Sequence, residues 1–185
     1  LKLPTGKFDQ TFADGPQAGE ILDRGLQLGT GTFAGQGIDL QLKGSTAAMA
    51  TASLTGVVDK NTIGSLTTAG LGNVGDGIKV SAFSNTSIQG LAIGTTGQGN
   101  IIANNGADGI DIERFNTAQV GNVSPVSIVD NNITLNKGDG VAISALGSYN
   151  GVTNGFVVNN NKITSNVNNG VHLHVEADAN MDVNM

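Results

Sequence analysis

Four asparagines, Asn73, Asn105, Asn136 and Asn166, recur at intervals of 32, 31 and 30 residues, and an Asp-Gly or Asn-Gly pair follows each of them three positions later. The units read Asn73-x-x-Asp76-Gly77-Ile78-x-Val80, Asn105-x-x-Asp108-Gly109-Ile110-x-Ile112, Asn136-x-x-Asp139-Gly140-Val141-x-Ile143 and Asn166-x-x-Asn169-Gly170-Val171-x-Leu173. The last three also share an upstream pair, Asn100-x-Ile102, Asn131-x-Ile133 and Asn161-x-Ile163. A fixed period of this size restricts the fold severely, because each unit can bury its apolar edge only against the units before and after it.

Inside each unit apolar and polar residues alternate, as in Ile110-Asp111-Ile112-Glu113 and Val171-His172-Leu173-His174-Val175. Alternation of period two describes short strands with one buried side. The runs are about five residues long and rich in Gly and Asn, which disfavour the helices that ankyrin or tetratricopeptide repeats of similar period require. Asp-Gly and Asn-Gly between strands are expected to supply positive-φ residues for sharp turns. Strands that return to the same place after about 30 residues predict an all-β chain wound as a right-handed parallel β-helix, a single-stranded solenoid with rungs about 4.8 Å apart.

Equivalent positions then become vertical columns. Ile102, Ile133 and Ile163 form one inward stack, and Ile78, Ile110, Val141 and Val171 form another. The Asn73/Asn105/Asn136/Asn166 column is expected to be an asparagine ladder, since an amide can donate to one neighbour and accept from the other.

The Asn-x-Ile-x-x-Asn-x-x-x-Asp-Gly-Ile-x-Ile pattern resembles the parallel β-helix repeats of the pectin-lyase-like superfamily. Within it the pattern is similar to Gly/Asn-rich repeats of large secreted or cell-surface bacterial proteins, whose Ile-Gly-Gly…Gly-Asn-x-Ile segment matches Ile93 to Ile102 except at Thr95. The matching stretch runs from residue 73 to 175. The resemblance implies a secreted or surface location and a fold, and leaves activity open, because this fold hosts both enzymes and inert stalks.

The regularity is uneven along the chain. Residues 1 to 60 contain no asparagine and read as irregular N-terminal rungs or a cap region, with Gln17 to Leu26 expected as a short capping helix and Gln36-Gly37-Ile38-Asp39-Leu40 as an outlying copy. Residues 61 to 185 read as regular rungs. Loops at Gly64 to Gly75, Thr95 to Gly99, Arg114 to Ser124 and Ala145 to Gly155 are expected to project from one side,. Met181 to Met185 still alternates, so the repeat is expected to continue or to be covered by a partner, and any signal peptide is expected to be already removed or to lie upstream of Leu1,.

Charge and composition narrow the partners. A net charge of −6 argues against nucleic acid and anionic membranes, which attract basic patches,. No cysteine is present, so disulfides and thiolate metal sites are excluded,. No apolar run approaches the roughly 18 residues of a membrane-inserting helix.

Aligning the units places Asp39, Lys79, Asp111, Ala142 and His172 in one outward column, and Gln41, Ser81, Glu113, Ser144 and His174 in the next. Asp111 and Glu113 would then face His172 and His174 across two rungs, about 10 Å apart, as a candidate catalytic acid/base set for a polysaccharide. The simpler reading is that polar residues lie outward because water is there. Sugar-cleaving grooves stack rings on aromatic side chains, yet this chain has no Trp, one Tyr and six Phe. Asp76, Asp108 and Asp139 share a turn column, and carboxylates in turns suit calcium, although turn formation alone also explains Asp-Gly. No other cofactor is expected. The functional expectation is a rigid spacer or adhesive segment, with polysaccharide or further copies of the repeat as partners. The alternatives are a polysaccharide lyase, C5-epimerase or glycoside hydrolase using the outward face, and a fibre that binds glycans without cutting them.

Overall fold

A computed structural model describes residues 35–43, 52–67, 72–147, 153–177 and 179–185. All regular structure among them is β, and the strands stack as a parallel β-solenoid of about four turns with rungs of about 31 residues. The expected helix at Gln17 to Leu26 and most of the irregular 1–60 region lie outside the described residues.

Three parallel sheets form the walls. The first contains β1 (Ile38–Leu42), β4 (Ile78–Ala82), β7 (Ile110–Phe115), β11 (Val141–Leu146) and β14 (Val171–Val175), in that spatial order. The second runs from β2 (Ala52–Val58) through β5 (Thr86–Ile93), β9 (Val126–Val129) and β12 (Thr153–Asn159) to β15 (Asn180–Asn184), and the two-residue β8 (Gln119–Val120) also pairs with β5. The third consists of β3 (Thr62–Gly64), β6 (Ile101–Ala103), β10 (Asn132–Thr134) and β13 (Lys162–Thr164). The chain visits each wall once per turn, and in the turn that begins with β7 it gives the second wall two short strands, β8 and β9.

Register follows the repeat. Ile63, Ile102, Ile133 and Ile163 pair in file along the third wall, and Ile38, Ile78, Ile110, Val141 and Val171 along the first. The middle members of both files are fully buried and share one continuous core with Val80, Ile112 and Ile143. Each buried aliphatic side chain contributes roughly 1.5–3 kcal/mol. At the last rung the same columns open to solvent, with Leu173 at 40% and Val175 at 45% exposure.

Two asparagine ladders run through the corners. Nδ2 of Asn73 donates to Oδ1 of Asn105, Asn105 to Asn136, and Asn136 to Asn166, at 2.8, 2.8 and 2.9 Å. The backbone N–H groups of Asn73, Asn105 and Asn136 use the same oxygens. A second column does the same: Asn61 to Asn100 at 3.0 Å, Asn100 to Asn131 at 2.8 Å, and Asn131 to Asn161 at 2.9 Å. The remaining amide hydrogen reaches back to a carbonyl, as from Asn100 to Val58 and from Asn131 to Ile93. Every ladder amide up to Asn131 and Asn136 thus donates towards the later rung, and the arrangement satisfies polar groups that a dry corner would otherwise leave unpaired,.

The backbone bend that aims these asparagines lies one residue earlier. Lys60, Asp130 and Asn160 (φ 54°, 58° and 53°) precede one ladder, and Asn104, Leu135 and Ser165 (φ 58°, 60° and 58°) precede the other. The glycines of the Asp-Gly and Asn-Gly pairs are absent from the positive-φ positions, which corrects the expected role for them. Their need is for space. A Cβ on Gly109 would lie 2.5 Å from Ile133 Cγ2 and 2.6 Å from the Gly140 carbonyl oxygen, and Gly77 and Gly140 are equally crowded by the following rung.

Candidate functional site

The strand register of the first wall places the outward columns as the repeat predicts. Asp39, Lys79, Asp111, Ala142 and His172 are aligned, and so are Gln41, Ser81, Glu113, Ser144 and His174. Side chains at alternate positions of one strand share a side, so Asp111 and Glu113 project together from β7 and His172 and His174 from β14. Two strand spacings separate the pairs.

Lys79 organises the acidic end. Its ammonium donates to Asp111 Oδ2, lies 2.9 Å from Glu113 Oε2 and sits 3.9 Å from Asp76 Oδ2. Burial works against the charged lysine, but the hydrogen bonds to Asp111 and Glu113 outweigh it and raise its pKa above the ordinary lysine value. Asp111 is itself buried, and that burial, with Glu113 and Asp76 adding repulsion, pushes its carboxyl up to about 6 despite the lysine. Both values rise, which favours the charged form of Lys79 and disfavours that of Asp111: the salt bridge stabilises the ammonium more than it compensates the desolvated carboxylate,.

The Asp-Gly carboxylates form a third column, bonded to backbone rather than to one another. Asp76 Oδ1 accepts the Asp108 N–H at 2.9 Å, Asp108 Oδ1 accepts the Asp139 N–H at 2.6 Å, and Asp139 Oδ1 accepts the Asn169 N–H at 2.7 Å. Burial, with like charges from Asp76 and Asp139, raises the pKa of Asp108 although the Asp139 N–H opposes it. Of the three carboxylates expected to suit calcium, Asp76 and Asp108 come together with Asp111, their oxygens within 4.8 Å of one another, and Asp139 stands apart from this group. The Lys79 ammonium beside Asp111 and Asp76 supplies positive charge that a bound cation would otherwise provide.

Asp139 serves the histidine end. Its Oδ2 lies 3.0 Å from His172 Nδ1, while Asn169 adds a side-chain donor to Oδ1 at 2.8 Å. Burial opposes ionisation of Asp139, but the Asn169 donors and His172 outweigh it and hold the carboxyl below its ordinary value. His174 Nε2 is 3.1 Å from Glu176 Oε1, and the two imidazole rings are near parallel with centres 6.2 Å apart. The four candidate catalytic residues therefore form two separate groups, one centred on Lys79 and one on Asp139 and Glu176.

Two further features escaped the sequence reading. Phe83 and Phe115 stack outward with centres 5.0 Å apart and planes 6° apart, and Lys43 Nζ lies 5.7 Å from the Phe83 centre. Phe83 stacks on Phe115 of the following rung and lies beneath Lys43 of the preceding one, so this column ties rungs together,. Arg114, expected at the start of a projecting loop, instead occupies an inward position of β7 between Ala82 and Ala145. The small neighbours leave room for it. Its guanidinium donates to the carbonyls of Asn116 and Gly147, and burial lowers its pKa. The same expected loop also contains β8, which extends the second wall.

No protein-family model, curated protein or solved structure matches the chain.

Proposed function

We propose that this chain is a structural segment of a secreted or cell-surface repeat protein of the pectin-lyase-like β-helix kind, serving as a rigid spacer or interaction surface. One observation carries the reading. Lys79, Asp111, Glu113 and His172 on the outward side are engaged in bonds between rungs, Lys79 with Asp111 and Glu113 across one interface and His172 with Asp139 across another. Groups used in this way stitch neighbouring turns, and an acid/base pair for catalysis would instead have to converge on a common reacting atom. The columns of aliphatic, amide, carboxylate and aromatic side chains all run along the stack, so each rung is held to its neighbours by every class of contact.

The test is incubation of the full chain with uronate and neutral polysaccharides, followed by analysis for shortened, unsaturated or epimerised products. The expected result is no turnover, with a rod-shaped scattering profile. Turnover that disappears in Asp111→Asn or His172→Ala would overturn the reading in favour of a polysaccharide-active enzyme. Binding on a glycan array without turnover would instead support the non-cleaving fibre.

A further inference from the structure

We infer that His172 and His174 form an exposed two-imidazole site for a first-row transition-metal ion, Cu²⁺ above all, with Zn²⁺ and Ni²⁺ as weaker occupants. The two histidines lie at i and i+2 on β14, so both rings stand on the same side of the wall,. Their side chains are 49% and 45% exposed. On the adjacent strand their partners in register are Ala142 and Ser144, which are too short to overlie the rings.

Each ring is already anchored at one nitrogen. Asp139 Oδ1 already accepts the backbone and side-chain donors of Asn169, and its Oδ2 lies 3.0 Å from His172 Nδ1, so the geometry has His172 donating from Nδ1. The lone pair of neutral His172 is thereby assigned to Nε2. His174 faces Glu176 through Nε2, which leaves Nδ1 for a ligand. A carboxylate on the far nitrogen of an imidazole fixes its tautomer and orientation and increases its basicity, an arrangement found around metal-ligating histidines.

Distance and softness agree with this assignment. With metal–nitrogen bonds of about 2 Å, two imidazoles on one ion have ring centres roughly 5–6 Å apart. The observed centres are 6.2 Å apart with the planes 20° from parallel, so binding one ion requires both exposed rings to rotate until His172 Nε2 and His174 Nδ1 point at it. Imidazole nitrogen suits Cu²⁺, Ni²⁺ and Zn²⁺, and Cu²⁺ is bound most strongly of the series. Water would complete the coordination. The Asp76/Asp108/Asp111 group is a different case, since its donors are all oxygen and Lys79 already lies against it.

Titration of the full chain with Cu²⁺ alone, followed by electron paramagnetic resonance, tests the site. One ion per chain with hyperfine coupling to two imidazole nitrogens is expected, and His172→Ala and His174→Ala should each reduce this to one nitrogen and weaken binding at least about tenfold. Asp76→Asn and Glu113→Gln should leave affinity and spectrum unchanged. A one-nitrogen spectrum in the unmodified chain, or an affinity that neither histidine variant alters, overturns the proposal. Nitrogen-15 spectra of the metal-free chain give a second reading, with His172 expected as the Nδ1–H tautomer and converted to a mixture in Asp139→Asn. That variant is compatible with the fold because Asn169 already occupies the same column. A predominantly Nε2–H His172 in the unmodified chain would also refute the site.

Discussion

Asn105 gives its side-chain proton to Asn136 Oδ1 at 2.8 Å and its backbone N–H to the same oxygen at 3.1 Å, so one carbonyl thirty-one residues away satisfies two donors. Asn105 is also the acceptor for Asn73, and it is completely buried. Replacing it with alanine removes these bonds and leaves neighbours unpaired, a loss of about 3 kcal/mol. Asn166→Ala, at a half-exposed position where water can substitute, should cost about 1 kcal/mol. Urea unfolding of the two variants checks the difference, and equal midpoints would contradict the ladder energetics.

Gly109 and Gly170 offer a sharper comparison, since they hold the same place in the repeat. A Cβ on Gly109 meets a side chain and a backbone oxygen of the next rung, whereas on Gly170 its nearest neighbour is Ile163 Cγ2 at 3.8 Å. Gly109→Ala should destabilise by about 2–3 kcal/mol. Gly170→Ala should change the melting temperature little in either direction.

Leu135 is a branched apolar residue with φ 60° and 44% exposure. The equivalent bend one rung earlier uses Asn104, which tolerates that conformation better,. Leu135→Asn should therefore stabilise the fold by about 0.5–1 kcal/mol, measurable as a higher denaturant midpoint with an unchanged slope.

Acidification should act on Asp111 in an unusual direction. Its folded pKa of about 6 lies above the ordinary 3.8, so the native state binds the extra proton between these values,. The contribution of this group to stability therefore falls as pH rises from about 4 to 6, by an amount on the order of 2–3 kcal/mol. Asp108 adds in the same direction, while the lowered Asp139 opposes it, losing its contribution only as pH drops below the usual carboxylate range. Thermal melts from pH 4 to 7 should show a slope that Asp111→Asn flattens. An unaltered slope in that variant would rule out Asp111 as its source.

The columns were legible because side chains in a strand alternate strictly, so one correct repeat alignment fixes every register at once. That is why Asp111, Ala142 and His172 fall in line as expected. Three members of the second ladder are visible in the Asn100-x-Ile102, Asn131-x-Ile133 and Asn161-x-Ile163 pairs, whereas Asn61 stands 39 residues before Asn100 and falls off the period. Direction around a column is harder. Sequence gives the height of Asp139 and Asp111 on the stack, but their lean towards His172 and Lys79 depends on burial and on neighbours about thirty residues distant. The glycines misled for a related reason: Asp-Gly reads locally as a turn, while the demand for a missing Cβ comes from the adjacent rung.

The one-way run of amide hydrogen bonds from Asn61 to Asn161 and from Asn73 to Asn166 gives each file a direction. Turning a single amide around within either file would set hydrogen against hydrogen on one side of it and oxygen against oxygen on the other, so the polarity is a property of the whole file and not of any one asparagine.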